Sequence, residues 1–156
     1  MTRHVTRSTF AALAIAIALT PVTGAGGAVT HSNASFTKSA DGACASAGAQ
    51  ITKLPKLTGA NLIQTVNKET AIAAKLVTRL EAIKAPAAKA SRYRALIKTI
   101  QDQSTYLRAG IGALQHDQVS RGKGLLDKAD AVGRRGDKLA TKLKLPACAK
   151  DYSAQG

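Results

Sequence analysis

The apolar positions of this chain recur at helical spacing over three long stretches. Between residues 59 and 85, Leu62, Val66, Ala73, Leu76, Leu80 and Ile83 follow in steps of four and three, with Glu69 filling one step. Ile63 and Val77 widen the stripe. Such steps place side chains on one face of an α-helix. A second stripe runs through Tyr93, Ile97, Ile100, Ser104, Leu107, Ile111 and Leu114, and a third through Gly122, Leu125, Ala129, Val132, Gly136, Leu139 and Leu143. The boundaries carry their own chemistry. Thr58 is an expected cap for the first long helix, 59–85. Pro86 ends it and suits the first position of the second, 86–115. His116 and Asp117 form the next break, with Asp117 the expected cap of the third helix, 118–145, which Pro146 stops.

Upstream, residues 41–50 (DGACASAGAQ) are small and alanine-rich, and predict a short helix capped by Asp41 and carrying Cys44. Residues 29–40 are polar and aperiodic and are expected to form a flexible leader. No stretch alternates with the period of a strand. The expected fold class is all-α: an up-down bundle of three long helices plus one short N-terminal helix, closed by a terminal disulfide. The bundle domain is expected at 41–150, with a disordered tail at 151–156. Gly122, Gly124, Gly133 and Gly136 weaken the third long helix intrinsically, and small residues on its stripe let a neighbouring backbone come close.

The first residues have a different pattern. Arg3 and Arg7 precede the apolar run Phe10–Leu19, and small residues follow through Ala28. A basic start, a short apolar run and a small-residue exit are the marks of a secretory signal peptide, expected at 1–28 with cleavage after Ala25 or Ala28. Ten apolar residues span ~15 Å as a helix, about half a bilayer core. No later stretch is apolar enough to anchor the chain in a membrane, so a secreted, extracytoplasmic location is expected.

Export changes the meaning of the two cysteines. Cys44 and Cys148 bracket the helical region, and an even pair in an oxidising compartment reads as one disulfide. The alternative, a nucleophilic Cys44, needs a base to activate it. Neither His31 nor His116 is placed beside it by the sequence.

Charge supplies the remaining candidate chemistry. The chain has 23 Lys and Arg against 9 Asp and Glu; without Arg3 and Arg7 the balance is +12. On the third long helix Arg121, Lys128, Arg135 and Lys142 recur every seven residues, and Lys138 joins them. They flank the apolar stripe and form a strip of ~32 Å suited to a polyanion. An acidic wall polymer or an anionic surface is the expected partner. The competing reading is a solvated face that keeps the protein soluble. Aromatic content of 3% argues against a base-stacking surface, and no specific nucleic-acid recognition is expected. Gly133-Arg-Arg-Gly136 resembles the backbone-clamping loop of single-strand RNA binders, but the strands and aromatics of such a module are missing. No P-loop, nucleophile elbow or metal motif is present. No catalytic residue, metal or cofactor is assigned, and the chain is expected not to be an enzyme. A small exported enzyme without a familiar motif and a purely structural or stress accessory remain the rival readings.

The frame as a whole resembles the small, exported, alanine-rich helical proteins and lipoproteins of high-GC Gram-positive bacteria. The matching pieces are Cys44-Ala-Ser-Ala-Gly-Ala, Leu54-Pro55, Ala85-Pro86 with Tyr93, and Leu143-Lys-Leu-Pro-Ala-Cys148. The likeness covers residues 41–149. It implies the helical fold and export, and it implies no activity. The chain departs from the lipoproteins in having no cysteine at the end of its first apolar run.

Overall fold

The computed structural model describes residues 32–150. The expected signal peptide, the first residues of the expected leader and the expected tail lie outside the described residues.

The described chain is all-α, with four helices and no strand: α1 (Asn33–Ile51), α2 (Leu62–Glu81), α3 (Ala87–Gln115) and α4 (Val119–Leu143). They pack in chain order, α1 on α2, α2 on α3 and α3 most extensively on α4. The disulfide Cys44–Cys148 joins α1 to the segment after α4.

Helix α1 corrects the expected flexible leader. It starts at Asn33, eight residues before Asp41, and Ser32 caps it by accepting from the Ser35 N–H at 3.2 Å. Phe36, Ala40, Cys44 and Ala47 are buried along one face. Phe36 meets Tyr93 edge-on, ring centres 4.9 Å apart. Asp41 therefore lies inside a helix. Its Oδ1 accepts from the Ala147 N–H at 2.7 Å, a second tie beside the disulfide.

The other helix ends also differ from expectation. Asn61, not Thr58, caps α2. Its side chain ties the preceding loop, accepting from the Thr58 N–H at 2.8 Å and donating to the Lys56 carbonyl at 2.9 Å. Pro86 is the N-cap of α3 rather than its first residue. Asp117 is not the cap of α4, which is Gln118; it is the left-handed residue that ends α3, at φ 57°. The Gln118 N–H reaches back to Ala113 O at 3.0 Å and the Asp117 N–H to Leu114 O at 3.2 Å, the bond pair of a Schellman motif. Lys144 repeats it at the end of α4, at φ 62°, with the Leu145 N–H on Ala140 O at 3.0 Å. Leu145 follows fully buried, the apolar contact that accompanies this turn.

The tightest core sits at one end, where Phe36, Leu80, Leu96, Leu143 and Leu145 are wholly buried. Helix α3 is central and carries two apolar faces. Tyr93, Ile97 and Ile111 belong to the expected stripe. A second series, Leu96, Thr99, Gln103, Tyr106, Gly110 and Ala113, is buried or half-buried. Glycines let its members meet α4. A Cβ on Gly136 would stand 3.0 Å from Thr99 Oγ1, and one on Gly133 2.7 Å from Gln103 Nε2. One on Gly110 would stand 2.9 Å from Leu126 Cδ2, and one on Gly122 2.7 Å from Leu114 Cδ2. Ascending numbers on α3 meet descending numbers on α4, so the two helices are antiparallel.

Candidate functional site

The five strip residues, Arg121, Lys128, Arg135, Lys138 and Lys142, are all exposed on α4. None forms a salt bridge among the described residues. Arg121 alone has a side-chain partner, donating to Gln118 Oε1 at 3.1 Å. At 100° per residue Asp130 and Asp137 stand across α4 from Arg121, Lys128, Arg135 and Lys142, whereas Asp127 lies close to the column of Lys138. Arg134, on that acidic side, pairs with Asp130 one turn back. The apolar stripe thus has a cationic edge on one side and a mixed edge on the other. Gly133 and Gly136 belong to a helix seam, not to a nucleotide-clamping loop.

The mixed edge borders a feature without a sequence signal, a cavity of about 150 Å³ where the four helices and the C-terminal segment converge. The disulfide forms part of its wall. Glu69, Gln103, Asp130, Asp137 and Lys150 contribute polar groups, while Leu76, Ile100 and Leu107 supply apolar surface. The two hydroxyls that could act as nucleophiles there are engaged with their own helices. Ser104 Oγ donates to Ile100 O at 3.0 Å, and Thr70 Oγ1 to Asn67 O at 3.1 Å. Among the described residues no group of three or more His, Cys, Asp or Glu side chains could hold a metal ion.

Cys44 is buried, and both cysteines are consumed in the disulfide. His116 is the C-cap of α3, well separated in the chain from Cys44. Burial pushes the Tyr93 hydroxyl up to about 12. Its hydroxyl donates to Leu80 O at 2.9 Å, so it serves the core. No helix among the described residues is long and apolar enough to cross a membrane. No protein family, curated protein or solved structure was found to match the chain.

Proposed function

We propose that this protein is an exported, non-catalytic up-down helical bundle that holds an acidic polymer or an anionic surface along the cationic edge of α4. The observation that carries the proposal is the state of the five cations. They are exposed, they share one edge, and no salt bridge neutralises them. Cations left unpaired in a row attract a polyanion by releasing its condensed counterions, an effect that weakens steeply with salt. Export is supported by the basic start and apolar run of residues 1–19 and by the disulfide, a bond that persists in oxidising compartments.

The test is salt-dependent retention of the oxidised protein on an immobilised anionic polysaccharide and on an acidic wall polymer. Replacing Arg121, Lys128, Arg135 and Lys142 with Gln is expected to lower the eluting salt concentration sharply. Replacing the exposed Lys68, Lys75, Lys84 and Arg94 with Gln removes the same charge elsewhere and is expected to change it little. Equal shifts in the two variants would show that net charge alone is responsible and would end the proposal.

A further inference from the structure

The α3–α4 seam has coiled-coil periodicity. The α4 stripe Gly122, Leu125, Ala129, Val132, Gly136, Leu139, Leu143 is a heptad series of a and d positions, and the α4-facing series of α3 has the same spacing. In this frame Arg121, Lys128, Arg135 and Lys142 all occupy g, the position beside the seam. Heptad positions keep a constant relation to the partner helix because the pair supercoils. The cations therefore stay in line along α3 over ~32 Å.

The α3 side of that line is what sets it apart. The meetings of Gly136 with Thr99 and of Gly133 with Gln103 fix the antiparallel register. They bring Lys142 within two residues' rise of Ala95, Arg135 of Asp102 and Lys128 of Ala109. Flanking positions of a coiled coil are where opposite charges meet across the seam. Here two of the three facing residues are exposed alanines. The third, Asp102, is held by Lys98 at 2.9 and 3.0 Å. The flank is thus a shallow alanine floor with a cationic wall.

Resting on the reading of the α4 edge given above, we infer that this flank is a track for a linear polyanion, an extended chain bearing anionic groups at regular intervals. An anionic lipid surface fits it less well. The apolar residues of the α4 stripe are buried or half-buried at the seam, and Val119, the large exposed apolar residue of α4, lies on the far side of the helix from Arg121, so no fully exposed large apolar side chain of α4 stands among the g cations to enter a bilayer. A narrow chain can follow the floor and meet successive g cations, whereas a plane meets only the outer tips.

The experiment measures binding of the oxidised protein to oligoglutamates of graded length. Fully extended, about four residues reach ~14 Å and about ten reach ~35 Å. Affinity is expected to rise at least tenfold from the shorter to the longer, then to level off once the track is spanned. With four charges neutralised, log K is expected to fall against log salt with a slope of about −3. The double variant Ala95→Glu/Ala109→Glu supplies the missing partners of Lys142 and Lys128 and is expected to cost at least tenfold in affinity. Ala71→Glu/Ala74→Glu makes the same charge change at exposed α2 positions and is expected to cost less than twofold. Helicity of both is checked by circular dichroism. Binding independent of chain length, equal losses in the two double variants, or equal affinity for anionic vesicles at matched charge would each overturn the track. If the Gln replacements on α4 abolish binding while Ala95→Glu/Ala109→Glu does not, the cationic edge stands and the track falls. If neither set matters, both fall.

Discussion

The Tyr93 hydroxyl donates to the Leu80 carbonyl oxygen at 2.9 Å, binding the first turns of α3 to the last turn of α2. Leu80 O also accepts from the Ile83 N–H at 3.0 Å, so it keeps a partner when the tyrosine is removed. Tyr93→Phe is therefore expected to cost only about 1 kcal/mol at neutral pH, read from urea unfolding. The pH dependence separates the two proteins more clearly. Burial holds the Tyr93 pKa up at about 12, against 10.0 for an exposed tyrosine. Between these values the unfolded chain releases the proton while the folded protein keeps it. Relative to neutral pH the folded protein therefore keeps its full stability below pH ~10 and loses on the order of 2 kcal/mol as pH rises through ~12. The quantity to read is wild type minus Tyr93→Phe, in which every contribution shared by the two proteins cancels. A difference that stays flat over that range would contradict the buried hydroxyl.

Cys44 and Cys148 are 104 residues apart and hold α1 to the segment after α4. Closing a loop of this length is worth about 4–5 kcal/mol through the unfolded chain. Reduction is expected to lower stability by that order, and denaturant midpoints with and without reductant measure it. The Asp41–Ala147 hydrogen bond does not depend on the sulfurs. Asp41→Ala is expected to remove a further ~1–2 kcal/mol even in the oxidised protein. Intact-mass analysis of the native chain should show two fewer hydrogens than the reduced form.

Phe36 tests the start of the fold. It is buried between Tyr93, which it meets edge-on, and Lys89, whose Nζ stands 5.4 Å from its ring centre. Phe36→Ala is expected to cost about 3–5 kcal/mol, the range for truncating a buried aromatic. A flexible leader would make the same change silent, so one thermal melt decides between them.

The reason that segment looked like a leader is physical. Its buried positions are Phe36, Ala40, Cys44, Ala47 and Gly48, steps of a helix written mostly in small residues. Periodicity is read from large apolar side chains, and only Phe36 is one. The second face of α3 was hidden similarly, because Thr99, Gln103, Gly110 and Ala113 carry no apolar signal although they meet or flank the seam. Helices α2 and α4 were legible from stripes of Leu and Val, and the disulfide from the pairing of two cysteines around one domain. Helix ends were less legible, since Asp117 and Lys144 take left-handed positions that glycine usually fills. The cationic series was visible as a seven-residue recurrence. What stands opposite it, Ala95, Asp102 and Ala109, follows only from the α3–α4 register. The cavity needs four helices and the C-terminal segment placed at once, so no local pattern announces it.

Two glycines on α4, two residues apart, should respond oppositely to the same substitution. A Cβ on Gly122 would lie 2.7 Å from both Cγ and Cδ2 of Leu114 and 3.1 Å from the Gly110 carbonyl oxygen. Alanine gains about 1 kcal/mol of helix propensity over glycine. Forcing a methyl into a filled seam costs about 1–3 kcal/mol, and here the Gly110 backbone limits any retreat. Gly122→Ala is thus expected to destabilise by up to about 2 kcal/mol, the overpacking cost less the propensity gain. Nothing lies within 4 Å of a Cβ on Gly124, which is exposed. There the propensity gain stands alone, and Gly124→Ala is expected to stabilise by about 0.5–1 kcal/mol. Urea unfolding of the two single variants measures both signs. If Gly122→Ala also stabilised the protein, the close α3–α4 approach would be absent, and with it the register that sets the cations over the alanine floor.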